Sequence, residues 1–240
     1  MQYYGCTKNR NEMKIGVVVF PGSNCDADMQ QALSDVLDTE VVMLWHKNDD
    51  LSAFTSNDCI VLPGGFSYGD YLRCGAIAQF SPMMQSVIKF AHHGGKVLGV
   101  CNGFQILCEA KLLPGVLLPN AHQQFVCKNV YIKNQTENKV LKIPVAHGDG
   151  RYYANEKTLL QLNQNNQVLY QYCDIDGNIT PEGNPNGSLQ NIAAISNIAG
   201  NVVGMMPHPE RACSTILGNV DGIEVFTTLG LHKIKTTASL

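Results

Sequence analysis

None of the nine cysteines, at positions 6, 25, 59, 74, 101, 108, 127, 173 and 213, forms a Cys-x-x-Cys pair, and their number is odd. That scatter argues against a metal site and against the disulfide framework that small secreted domains need. There is no basic tract and the formal net charge is -3, so the chain lacks the electrostatic footprint of a nucleic-acid binder. No apolar run approaches the length of a membrane span. Residues 1–12 have no apolar central segment of the kind a secretory signal requires. They are read as a loosely ordered N-terminal extension ahead of one domain over residues 13–240, with reducing cytosol as the simplest compartment. Neither Gly-x-x-x-x-Gly-Lys-Ser/Thr nor Gly-x-Gly-x-x-Gly occurs, which leaves no recognisable nucleotide-binding loop, and no internal repeat divides the chain.

What is present fits one large α/β domain: 240 residues, 45% of them hydrophobic, are enough for a full core. Lys14 to Phe20, Cys59 to Leu62 and Val97 to Val100 are continuous apolar runs, as expected of strands covered on both faces of a parallel sheet, and Val41 to Trp45 gives a further strand. Helical spacing lies between them. It places Ala32, Leu33, Val36 and Leu37 on one face, with Ser23 or Asn24 as a cap, and predicts helical turns near Ala76 to Phe80 and from Pro82 with Met84, Val87, Ile88 and Ala91. His92 and His93 are adjacent and so do not share a helix face; they read as helix-end residues complementing the dipole rather than as metal ligands. From Phe125 the pattern changes to strands separated by polar turns, at Phe125 to Ile132, Val140 to Val145, Gln167 to Cys173 and Asn191 to Ser196, with a hairpin at Asn197 to Gly200 leading into Asn201 to Met206. A terminal helix is predicted through Ile223, Phe226 and Leu229. The predicted fold is therefore an open, mostly parallel sheet flanked by helices, with an antiparallel extension.

Chemistry concentrates at Gly99-Val-Cys-Asn-Gly103, where a buried strand turns directly into a helix carrying Phe104, Leu107 and Cys108 on one face. This is the form of a nucleophile elbow, with cysteine at its tip. Cys101 would project from a helix N-terminus, where unpaired N–H groups and the helix dipole favour a thiolate. A base is supplied far downstream by Met206-Pro-His-Pro-Glu-Arg211, whose Pro209 stiffens the backbone around His208 and lets Glu210 orient the imidazole. Cys101, His208 and Glu210 are thus the parts of a Cys-His-Glu acyl-transfer site. Pro63-Gly64-Gly65, following the strand beside that of Cys101, marks a loop where backbone can approach a ligand.

On Gly-Val-Cys-Asn-Gly-Phe-Gln and Pro-His-Pro-Glu the chain resembles the class I glutamine amidotransferases, whose fold is flavodoxin-like. On Phe20-Pro-Gly-Ser-Asn-Cys-Asp26, Pro63-Gly-Gly-Phe-Ser-Tyr-Gly-Asp-Tyr-Leu-Arg73 and His147-Gly-Asp-Gly-Arg-Tyr152 it is similar to the glutaminase subunits of phosphoribosylformylglycinamidine synthases, over most of residues 13 to 211. The resemblance implies that L-glutamine is the substrate, with oxyanion amides from Gly64, Gly65 and Asn102 and substrate binding by Gln105. It implies no cofactor in this chain, with ATP and magnesium on a synthetase subunit that assembles with it and with a small accessory subunit. Asp149, where the family usually has glutamate, and Lys128, where it often has arginine, depart from the pattern. His147 is a weaker rival for the base, with substrate-side or interface work expected instead. The competing readings are the glutaminase of another amidotransferase, a non-catalytic regulatory subunit, and a cysteine hydrolase or peptidase.

Overall fold

The computed structural model describes residues 13–37 and 39–231, so the predicted extension at residues 1–12 lies outside the described residues. The elements run β1 Ile15–Val19, α1 Asp26–Leu37, β2 Val41–Trp45, β3 Cys59–Leu62, α2 Pro82–His92, β4 Lys96–Val100, α3 Asn102–Glu109, β5 Val116–Leu118, β6 Val126–Asn134, β7 Val140–His147, β8 Arg151–Tyr153, α4 Glu156–Gln164, β9 Val168–Cys173, β10 Ile192–Ser196, β11 Val202–Met205 and α5 Asp221–Thr228. Nine strands form one sheet in the order β2-β1-β3-β4-β11-β10-β9-β6-β7. From β2 to β11 neighbouring strands are parallel, and from β11 to β7 they are antiparallel. The open, mostly parallel sheet with an antiparallel extension is what the apolar runs and the later alternation predicted.

Burial follows the same division. Strands β3, β10 and β11 are buried at every position, whereas in β7 burial returns at Leu141, Ile143, Val145 and His147. The two-residue period of an extended chain therefore delivers His147 to the core face of its strand. Each fully buried aliphatic side chain contributes about 1.5–3 kcal/mol relative to exposure, so the double-sided strands set the position of everything at their ends.

Two features bring those ends together. Register pairs Val100 of β4 with Met205 of β11, and the Cys101 N–H donates to the Met205 carbonyl at 2.7 Å. Beyond β11 the chain crosses the extension, where the His208 N–H donates to the Pro144 carbonyl at 2.8 Å. Helix α3 packs directly on the sheet: a Cβ added at Gly103 would lie 2.0 Å from the Leu62 carbonyl oxygen, so only glycine permits this approach.

Several local expectations are corrected. Ser23 does not cap α1, because its hydroxyl donates to the Phe20 carbonyl at 2.9 Å and accepts from the Phe20 N–H. The helical turn near residue 80 is a single 3-10 turn at Ala78–Phe80, and the next helix is capped by Ser81, whose Oγ accepts from the Met84 N–H. His93 lies just past that helix, with its Nδ1 2.7 Å from the Lys89 carbonyl oxygen, in line with a helix-end role. In α5 the buried face is Gly222, Val225 and Phe226, whereas Ile223 is exposed. Helix α4 and the small β5–β8 ribbon have no counterpart in the sequence reading.

Candidate active site

Cys101 stands between β4 and α3 with φ 52° and ψ -105°. A left-handed, non-glycine residue of this kind stores about 1–3 kcal/mol of strain, retained here because β4 and α3 are both packed and leave no other path. The sulfur lies 3.7 Å from the Ala146 carbonyl oxygen, at the end of β7. It lines a cavity of about 160 Å³ together with Gly65, Gln105, His147, Asp149 and His208. The cavity opens beyond the carboxyl ends of the parallel strands, where open α/β sheets hold their ligands.

His208 and Glu210 are buried, with the His208 Nδ1 2.7 Å from the Glu210 Oε1. Among the described residues, the other ring nitrogen, Nε2, and the Glu210 Oε2 have no hydrogen-bond partner. Burial alone would lower the basicity of the His208 ring, but the charge of Glu210 and the neighbouring Cys101 sulfur outweigh it and hold the imidazole above its ordinary value. The pair is therefore poised as an imidazolium beside the sulfur, with Glu210 fixing which nitrogen faces Cys101.

The Gly64–Gly65 loop divides its work between the two residues. Gly65 has φ 134°, lines the cavity, and leaves no room for a Cβ, which would come within 2.7 Å of the backbone at residues 22–24. Gly64 is buried behind the His208 ring, and a Cβ there would lie 2.7 Å from the His208 Cε1 and 3.2 Å from the Cys25 Sγ. Gly64→Ala is accordingly expected to push the imidazole off its bond with Glu210, lowering kcat with little change in KM at a stability cost of about 1–3 kcal/mol. Steady-state kinetics with a thermal melt would check both effects.

Asn102 and Gln105 are braced more extensively than the sequence suggested. The Asn102 Oδ1 accepts from the Ser67 N–H at 3.1 Å, while its Nδ2 donates to Asp70 Oδ1 at 3.2 Å and Gln105 Oε1 at 2.8 Å. Its side chain thus ties the loop after β3 to α3, leaving the backbone N–H at the helix start for a ligand. Gln105 is buried, and its Nε2 donates to the Asp149 carbonyl at 2.7 Å. One amide hydrogen and one lone pair of that side chain remain for substrate.

Four participants, Cys25, Arg211, Cys74 and Asp70, were missed by sequence reasoning. Cys25, 3% exposed, accepts from Arg211 Nη2 at 3.0 Å and lines the cavity. Cys74 bridges Asp70 and Asp149, its sulfur 3.2 and 3.1 Å from their carboxylate oxygens. Burial, with that like-charge setting, raises both the Cys74 thiol and the Asp70 carboxyl. Asp149, flagged for its shorter side chain, thus faces Cys74, whereas Lys128 is exposed on β6. Cys25 Sγ, a His208 nitrogen and a Glu210 oxygen lie within 4.8 Å of one another, a spacing a metal could use. The Arg211 guanidinium already donates to that sulfur, and burial pushes the Cys25 thiol up to about 12, so the sulfur is not presented as the thiolate a metal would take.

His147 is brought to the cavity wall but not to the role of base. Its Nδ1 lies 3.1 Å from the Asn120 Oδ1, and burial, reinforced by His208, lowers its pKa to about 4. Folding thus holds it neutral, whereas the unfolded chain takes up its proton as pH falls below the ordinary histidine value of 6.5. Its contribution to stability is complete above pH 6.5 and is lost as pH falls from there towards about 4. His147→Gln should flatten the acid loss of stability over that window, read from denaturant midpoints at neutral pH and near pH 5.

Comparison with known proteins places this constellation in context. Residues 12–224 match the CobB/CobQ-like glutamine amidotransferase domain. The chain is 54% identical over 227 residues to phosphoribosylformylglycinamidine synthase subunit PurQ of Moorella thermoacetica, covering 90% of this chain and 95% of that one. It is 52% identical to the subunit of the same name from Gloeobacter violaceus, covering 90% and 97%. Among solved structures it resembles PurLQS from Thermotoga maritima at 37% identity and TM-score 0.78, covering 91% of this chain and 97% of that chain.

Proposed function

We propose that this chain, which belongs to the CobB/CobQ-like glutamine amidotransferase domain family, is the glutaminase subunit of a phosphoribosylformylglycinamidine synthase in purine biosynthesis. The observation that carries the reading is a strained Cys101 sharing one cavity with a buried His208 whose Nδ1 is held 2.7 Å from Glu210. The near-complete coverage of curated PurQ relatives supports the choice of acceptor reaction.

In the proposed mechanism the Cys101 sulfur, its proton already held by the His208 imidazolium, attacks the side-chain amide carbon of glutamine. The N–H groups of Asn102 and of the Gly64–Gly65 loop receive the developing oxyanion. His208 then protonates the departing ammonia and activates water to release glutamate from the thioester. Gln105 meets the substrate from the cavity wall, braced by Asn102 and Asp149.

Ammonia released near neutral pH is mostly protonated and lost to water, so the product must pass directly to an acceptor site. A solved relative is a PurLQS assembly, and the chain is proposed to dock likewise with a synthetase and a small accessory subunit. ATP and magnesium are proposed to be bound by the synthetase, where ATP is spent in converting formylglycinamide ribonucleotide to formylglycinamidine ribonucleotide and magnesium is not consumed. Among the described residues no helix is long and apolar enough to cross a membrane; a cytosolic location is proposed from the pathway. The test is glutamate release by the reconstituted complex: one glutamate per amidine formed is expected. Glutamate release that never couples to that acceptor, yet couples to another synthetase, would overturn the assignment.

A further inference from the structure

Cys25 belongs to the Pro-Gly-Ser-Asn-Cys-Asp turn after β1, a motif with no assigned chemistry. Its thiol is held where three parts of the site converge. The sulfur accepts from Arg211 Nη2 at 3.0 Å, and Arg211 is also 3.4 Å from Asp28 on α1. It lies within 4.8 Å of ligand-type atoms on both His208 and Glu210 and 3.2 Å from the position of a Cβ on Gly64. The Cys25 N–H also points at the Gly64 carbonyl, at 3.4 Å.

The second observation concerns Glu210. Its side chain is fully buried, one oxygen serves the His208 ring, and the other, Oε2, has no hydrogen-bond partner among the described residues. A buried carboxylate oxygen without a donor carries an uncompensated desolvation penalty, and an oxygen free to rotate would let Oε1 leave the ring. Cys25 carries a proton that its contact with Arg211 does not use. Burial pushes its thiol up to about 12, so it stays a neutral S–H donor at physiological pH. Its other acceptor in reach, the Asn24 Oδ1, is at 3.9 Å. The thiol lies within 4.8 Å of a Glu210 carboxylate oxygen, and the Arg211 guanidinium is bonded to that thiol.

We propose that Cys25 is a positioning residue for the glutaminase reaction: its thiol keeps the Arg211 guanidinium parked between sulfur and Asp28, and steadies Glu210 so that Oε1 stays on the imidazole of His208. Without the sulfur, Arg211 is free to form a direct ion pair with Glu210. That pair would compete with the His208 ring for the carboxylate and weaken the imidazolium. The remaining titratable neighbours of the pair are Cys101 and His147 on the cavity side and Cys213, whose thiol donates to the Pro209 carbonyl. The proposal rests on the glutaminase reading, so its test has one readout that needs no turnover.

Cys25→Ala and Cys25→Ser are compared with the parent chain in the reconstituted complex. The rate of Cys101 alkylation by iodoacetamide is followed against pH by peptide mass spectrometry, alongside glutamine and ammonia kinetics. Expected for alanine is a shift of about half a pH unit or more in the alkylation midpoint, with glutamine kcat lower by about tenfold and KM little changed. Serine, which restores a donor of similar size, should return most of both. Ammonia-dependent synthesis should be unaffected, and equal melting temperatures would confirm that each variant folds. An unmoved midpoint in the alanine variant, or serine behaving like alanine, overturns the proposal. If alkylation shifts as expected but the parent chain releases no glutamate from glutamine, the positioning role stands and the glutaminase reading fails.

Discussion

Replacing Cys101 with alanine is expected to abolish glutamine-dependent amidine synthesis, with a loss of at least about three orders of magnitude in kcat/KM, while ammonia-dependent synthesis by the assembled complex continues. The size follows from the role: without sulfur there is no thioester, and the remaining oxyanion donors and base act only on a poorly placed water. Alanine also relieves the left-handed strain only in part, because the backbone at φ 52° is fixed by β4 and α3 rather than by the side chain. The variant should therefore be folded and should still bind its partners. Parallel assays with glutamine and with an ammonium salt at high pH check this, and loss of both activities would assign Cys101 a structural part.

The second large effect is expected from Glu210→Gln, which keeps the shape of the pair but removes its charge. A comparable loss of an orienting carboxylate costs roughly 10²–10⁴ in rate. The sign of the pH response is also fixed. The Glu210 charge is the principal force raising the His208 ring against burial, so its removal destabilises the imidazolium, and the alkaline limb of the rate profile should move to lower pH. Substitution of His208 by asparagine should give a similar or larger loss with no alkaline limb assignable to that ring. A Glu210→Gln variant within a few-fold of the parent, with an unmoved limb, would show that the 2.7 Å contact in the folded chain is incidental to turnover.

The legible and illegible parts of this protein divide on physical lines. Strands β1, β3 and β4 could be read because burial on both faces leaves an unbroken apolar run, β2 because Val41 to Trp45 is apolar although only Leu44 is buried there, and the hairpin into β11 because Asn197 and Gly200 mark its turn. Cys101, His208 and Glu210 could be read because glycine and proline around them announce a constrained backbone. Helix α4 was not, since it buries only Leu162 and so has almost no apolar stripe, although Asn155 accepting from the Thr158 N–H is a capping signal that would have found it. The ribbon of β5 and β8 has three residues in each strand, too few to show a period.

Side-chain partnerships across the fold left no local trace. Cys25 and Arg211 are 186 positions apart, and Cys74 meets Asp149 across 75. Only the sheet order brings them together. Asn102 shows the same limit in one residue: its N–H at a helix start was predictable, whereas its side chain's hold on Ser67, Asp70 and Gln105 depends on where the loop after β3 comes to rest. His147 lies between these cases, because the alternation Leu141, Ile143, Val145 in β7 already points it inward.

The central claim is that a single sulfur at position 101, activated by a ring 107 positions away in the sequence (208 − 101), performs the chemistry. The most direct test is to treat the complex with an electrophilic diazoketone analogue of glutamine and locate the label by peptide mass spectrometry. The prediction is one label, on Cys101, that glutamine protects against and that slows sharply in the His208→Asn variant. Label on Cys25 or Cys74 instead, or unlabelled Cys101 in a complex that still splits glutamine, would contradict it.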